Sequence, residues 1–143
     1  MKTLLLSVTM LATAMLFWFC KQTRYTPAAF PEEQLRWGSG GGFVGRETKF
    51  TLLKNGQIFK FESRDSIGEL EKIKAGKAKA LFETAASLNI AKLDFQHPGN
   101  TYDFLEFQEG AVIQRISWGD ANHPVDAKIK ELFAQLKELN KTK

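Results

Sequence analysis

A single cysteine, Cys20, occurs in the 143 residues, and it closes the apolar N-terminal run, so the chain beyond it has no thiol. That absence excludes internal disulfides, a cysteine-based zinc site and a cysteine nucleophile, because each needs a thiol placed inside the fold. Histidine is almost as scarce: there are only His97 and His123, and neither has a carboxylate or second histidine at a ligand spacing. A metal site needs three or four ligands, so none is expected. There is no G-x-S-x-G elbow, no Gly-Lys-Ser/Thr after a glycine run, and no repeat long enough for a solenoid. Charge of one sign is lacking too. The net charge is +4, and once Lys2 is set aside with the leader, nineteen basic groups face sixteen acidic ones. A surplus of that size does not argue for nucleic acid.

The first twenty residues are a targeting segment. After Lys2, the run from Leu4 to Phe19 carries no charge. A charged start and an apolar stretch of about 16 residues suit an export signal better than a spanning helix, which takes about 20. Three fates follow: lipidation at Cys20, retention as a helical anchor, or cleavage and release. Phe19, directly before Cys20, is larger than the residue a lipoprotein signal carries there. Residues 21–32, with Pro27 and Pro31, read as an extended tether with Lys21 and Arg24 near the headgroups. A single domain is expected over residues 33–140, roughly 110 residues and one core, with nine of the twelve Phe as bulky filling.

Within that domain, Asn55-Gly56 predicts a type I′ hairpin in which Leu52 faces Phe59 and Phe50 faces Phe61, with Thr51 and Lys60 on the other side. A second hairpin is expected over Thr101–Trp118, turning at Glu109-Gly110 and carrying Tyr102, Phe104, Val112, Ile116 and Trp118. Ala78, Leu81, Phe82, Ala85 and Leu88 recur at helical spacing, predicting a helix over about 75–89. Val125, Ile129, Leu132, Phe133, Leu136 and Leu139 predict a second, with Pro124 in its first turn and Asp120 or Asn122 helping to begin it. The fold class expected is α+β: an antiparallel sheet of a first strand and two hairpins, with two amphipathic helices on one face.

Gly40-Gly41-Gly42-Phe43-Val44-Gly45 satisfies the letters of the dinucleotide pattern but lies between two strands, where no helix N-terminus is available to hold a pyrophosphate. It reads instead as a bent connection that brings backbone close to something, and Gly40, Gly41, Gly42 and Phe43 are the candidate partner contact. His97-Pro98-Gly99-Asn100 is turn chemistry. Ser117, Asp120 and His123 can be drawn as a hydrolase triad, which requires the three to converge within hydrogen-bond reach. Asp103 and Glu106 alternate across one strand, so they cannot serve as paired glycosidase carboxylates. Lys72, Lys74, Lys77 and Lys79 read as a solvated face that can also touch anionic lipid.

Together, Gly38-Ser39-Gly40-Gly41-Gly42-Phe43-Val44-Gly45, the Asn-Gly hairpin, His97-Pro98-Gly99-Asn100 and Trp118-Gly119-Asp120 resemble a group of small bacterial lipoproteins of Bacteroidetes type, over about Leu35 to Leu139. The resemblance implies an envelope location and brings no assigned activity. A looser likeness, in the Gly-Gly-Phe start and the order of elements, is to emfourin-type inhibitors of metallopeptidases. The function expected is that of a non-catalytic, envelope-tethered binding or interaction domain without cofactor. It would touch a membrane through its N terminus and a protein partner through the glycine-rich loop. The alternatives are a peptidase inhibitor and an unrecognised hydrolase.

Overall fold

The computed structural model describes residues 23–43, 45–61 and 66–141. Cys20 and the leader lie outside the described residues. The elements are β1 (Gln34–Gly41), β2 (Thr48–Leu52), β3 (Ile58–Phe61), β4 (Ile67–Glu69), α1 (Ala75–Ser87), β5 (Gln96–His97), β6 (Thr101–Glu109), β7 (Val112–Trp118) and α2 (Ala127–Glu138). The fold is α+β, and the strands form one sheet in the order β4-β3-β2-β1-β6-β7-β5. Every pairing is antiparallel except the short one between β5 and β7. The sheet therefore has seven strands rather than the five expected. The two extra ones, β4 and β5, are three and two residues long, too short to leave a periodic trace in sequence.

β1 is the seam of the molecule. It pairs with β2 on one side and β6 on the other, joining the N-terminal half to the C-terminal half. Its alternation places Leu35 and Trp37 on one face with Leu52, Ile58, Leu105, Phe107, Ile116 and Trp118. Against them pack Ala78, Leu81, Phe82 and Ala85 of α1 and Ile129, Leu132, Phe133 and Leu136 of α2. Each large apolar side chain buried here contributes about 1.5–3 kcal/mol. The last helix begins later than expected: Asp126 is its N-cap and accepts from the Lys128 N–H at 2.7 Å. Asp120, Asn122 and Pro124 all precede it.

The first hairpin corrects the expected register. Gly56 has φ +92°, but Asn55 does not share the left-handed region, so the turn is not type I′. The loop is Lys54-Asn55-Gly56, closed by the Leu53 N–H to the Gln57 carbonyl at 2.9 Å. One additional loop residue pairs Leu52 with Ile58 and Thr51 with Phe59. Because side chains alternate, this shift moves Phe59 and Phe61 to the face opposite Leu52 and Phe50.

That second face is covered differently. Residues 23–32, the described part of the expected tether, lie against it as a strap. The buried Gln57 side chain accepts from the Tyr25 N–H at 2.7 Å and donates to the Tyr25 carbonyl at 3.1 Å. Asn55 donates to the Thr23 carbonyl, and the Phe30 ring sits 4.8 Å from that of Phe59. Among the described residues no helix is long and apolar enough to cross a membrane.

Candidate functional site

The three glycine-bearing motifs converge at one end of the sheet. β1 ends in Ser39-Gly40-Gly41, β5 runs into Pro98-Gly99-Asn100, and β7 leads out through Trp118-Gly119. The Gly42 N–H donates to the Asn100 carbonyl at 2.7 Å. A Cβ on Gly41 would lie 2.2 Å from that same oxygen, and its φ of +91° is strained for any other residue. On the other flank, a Cβ on Gly119 would lie 2.2 Å from the Thr101 carbonyl. The backbones are thus in direct contact, and glycine is what lets three segments meet around Thr101. What the glycine run approaches is the domain itself, at Gly38, Gly40 and Gly41. Phe43, by contrast, is fully exposed beyond them.

On the face away from the helices, Gly38 and Gly40 are seats for aromatic rings. A Cβ on Gly38 would come within 2.8 Å of the Phe104 ring and 1.9 Å of the Thr48 carbonyl, and one on Gly40 within 2.7 Å of the Tyr102 hydroxyl. Phe104 is fully buried because the Arg115 guanidinium covers its ring at 3.8 Å. Glu47 reaches across, accepting from both Arg115 nitrogens at 2.6 and 3.3 Å and from the Tyr102 hydroxyl at 3.0 Å. Burial raises the Glu47 carboxyl, but the hydrogen bonds and charge of Arg115, helped by Tyr102 and Lys49, outweigh it and hold the group below the usual carboxylate range. Alongside, Arg36 bonds Gln34, Glu106 and Gln108. This face is a closed polar lattice over aromatic rings.

The helix-side face of the same end is open. A cleft of about 440 Å³ is lined by Ser39, Gly41, Arg46, Thr48, Thr101, Asp103 and Trp118, among others. Its floor is one transverse row, Trp118–Asp103–Ser39–Thr48, each residue registered with the next across the ladder. A second row holds Thr101 opposite Gly41, with Arg46 beyond. Asp103 is half-buried, and among the described residues nothing hydrogen-bonds or ion-pairs with it. Burial pushes its carboxyl up, partly offset by the Lys137 charge. Trp118 stands edge-on to Phe133 at 5.0 Å and so closes this end of the core.

No protein-family model matches the chain, and no curated protein matches it.

His97 and His123 stack at 4.1 Å with an interplanar angle of 7°, and the His123 Nδ1 lies 2.7 Å from Asp120 Oδ2. Along the chain neither histidine has a carboxylate or a second histidine at a ligand spacing; folding supplies both, because the Asp120 N–H bonds the His97 carbonyl at 3.1 Å. Asp120 is held below the usual carboxylate range by the Asn122 N–H first and by His123 second. Among the described residues no three His, Cys, Asp or Glu are grouped to hold a metal. Ser117 is buried, and its hydroxyl donates to Gln96 Oε1 at 2.8 Å. Only the Asp120–His123 half of the drawn triad is joined. Asp103 and Glu106 do lie on opposite faces, Glu106 paired with Arg36.

Asp103, Ser39, Thr101 and Arg46 were not singled out in the sequence as one site. A signal for Asp103 was present: in Asp103-Phe104-Leu105-Glu106-Phe107 it holds the same parity as Leu105 and Phe107, so a carboxylate stands in a row that otherwise points into the core.

Proposed function

We propose that the chain is a non-catalytic binding domain held at the cell envelope by its N-terminal leader, with the corner carrying Phe43 as its contact. The observation that supports this reading most is Phe43 itself. It stands fully exposed on a short corner and contributes nothing to the core. The corner is nevertheless braced, by the Gly42 N–H to Asn100 and by the Gly45 N–H to the Gly42 carbonyl at 3.1 Å. An apolar ring on a preorganised support is the form an interface anchor takes. The leader, as an export signal or anchor with Cys20 as its lipidation point, gives the envelope location, and mass spectrometry for an acylated Cys20 tests it.

The contact is tested by capture from an envelope extract with the full-length protein and its Phe43→Ala variant. Gly41→Val is unsuitable, because its side chain would collide with Asn100. A species held by wild type, released by Phe43→Ala and still held by a change at the exposed Ile113 supports the reading; equal capture by Phe43→Ala ends it. The exposed ring also favours a second reading, a peptidase inhibitor that inserts Phe43 into an apolar specificity pocket. Inhibition of a metallopeptidase panel by wild type and not by Phe43→Ala decides for it, and no inhibition at micromolar concentration decides against it.

A further inference from the structure

We infer that the cleft beneath the glycine corner binds a primary ammonium group, with the Asp103 carboxylate as its counter-charge. The inference rests on the reading of this end of the sheet as a binding surface, and names the chemistry it takes.

The first ground is a carboxylate with no direct hydrogen-bond or ion-pair partner among the described residues. A carboxylate withdrawn from water and left without hydrogen bonds is unfavourable unless something supplies a partner. Asp103 is half-buried in the floor of the cleft without such a partner among the described residues. Its desolvation raises the carboxyl, the direction expected where no cation sits against it. The two nearby cations do not fill the place. Lys137 lies over the Phe133 ring, with Nζ 5.6 Å from the centroid, and forms no ion pair with Asp103; Arg46 is exposed at the rim.

The second ground is the arrangement of acceptors. An ammonium carries three N–H donors and no acceptor. Ser39 is registered directly opposite Asp103, and Thr101 precedes it by two on the same face. Cross-strand neighbours stand about 5 Å apart and same-face neighbours on one strand about 7 Å, so a carboxylate and two hydroxyls bracket a volume that one nitrogen can occupy. Trp118 is registered opposite Asp103 on its other side and lines the cleft with it. Gly41, facing Thr101, adds no side chain to the mouth.

Other ligand classes fit less well. Among the described residues Asp103 is the only carboxylate lining the cleft, too few ligands for a metal ion, and a negative group would meet it at the floor. The ammonium can belong to a free alkylamine or to a lysine side chain of a bound protein, and the test separates the two.

Full-length protein in detergent micelles is titrated with n-butylammonium chloride and, separately, with a short peptide carrying one lysine, while the Gly41, Thr101 and Gly119 amide resonances are followed. Neutral controls are n-pentanol and the same peptide acetylated at Nε. The expected result is saturable shifts with at least one ammonium probe, none with the neutral controls, and an affinity about tenfold or more weaker in Asp103→Asn. Affinity falls as the pH drops through the Asp103 carboxyl. Saturation with the peptide alone assigns the group to a protein lysine, and saturation with the amine as well assigns it to a free amine. Absence of saturable shifts with either ammonium probe, equal response to the neutral controls, or an unchanged affinity in Asp103→Asn overturns the inference. Should the inference fall while capture still depends on Phe43, the binding-domain reading stands; if ammonium binds but Phe43→Ala leaves capture intact, only the Phe43 contact falls.

Discussion

Asp103 and Glu47 are carboxylates on opposite faces of one sheet, and their surroundings drive them in opposite directions. Glu47 is held low by Arg115 and Tyr102 despite its burial, so its contribution to stability is present above the unfolded-state value and lost as pH falls through the folded one. Glu47→Gln is therefore expected to cost about 1 kcal/mol at neutral pH, given that the pair is about one-third exposed. Wild type and variant converge in acid, as thermal melts at the two pH values would read. Asp103 is raised by burial, so the folded state binds its proton more tightly than the unfolded chain does. Its carboxylate becomes a burden as pH rises through that raised value. Asp103→Asn should consequently melt higher than wild type near neutral pH, with a gain below about 1 kcal/mol after screening, and equally with it in acid. A melt lowered at neutral pH would mean that the carboxylate has a structural partner.

At the scale of elements, β1 is a strand whose second half has almost no side chains, because rings from β6 lie across it. Gly38→Ala would drive a methyl into both the Phe104 ring and the Thr48 carbonyl, and neither can retreat without opening the β1–β2 or β1–β6 ladder. The expected cost is about 3 kcal/mol by urea unfolding, whereas Gly76→Ala, with nothing within 4 Å and a helical position, should be neutral or stabilising. These elements also show what the sequence could and could not carry. The helices were legible because their apolar periods are local: Ala78, Leu81, Phe82 and Ala85, and Ile129, Leu132, Phe133 and Leu136, are all buried. The first hairpin was legible as a hairpin but not in its faces, since the extra loop residue is held by a remote segment. The Ile73 N–H bonds the Gly56 carbonyl at 3.0 Å, and a Cβ on Gly56 would lie 2.1 Å from the Ile73 carbonyl. The strap escaped for the same reason, as the Gln57 amide that holds Tyr25 lies 32 residues away. The glycine motifs could be marked as places of close backbone approach, but that they approach one another around Thr101 follows only from the strand order.

At the scale of the whole molecule, the two ends of the sheet carry different groups. Thr23 is bonded to Asn55 in the β2–β3 turn, and Gln34, where β1 starts, is registered with Gln108 next to the β6–β7 turn. The N-terminal connection and both turns therefore share one end, together with Lys54 and Lys79, which line a cleft with Thr23 and Tyr25. The exposed Val112 and Ile113 stand there too. Phe43 and the Asp103 cleft are at the other end, where β1 finishes at Gly41, seven residues from Gln34 or about 23 Å at the usual rise. If the leader holds the protein on a bilayer, the end carrying the exposed Val112 and Ile113 faces the headgroups, and the corner carrying Phe43 points outward, a division that would suit a tethered receptor of external ligands. The expectation is directional. With the leader retained in a Cys20→Ser background and the protein reconstituted in anionic vesicles, a fluorophore attached through Val112→Cys should be quenched by headgroup-labelled lipid, and one attached through Phe43→Cys should not. Quenching at position 43 in place of 112 would put the corner against the membrane, and the lipid itself would then be what Phe43 meets.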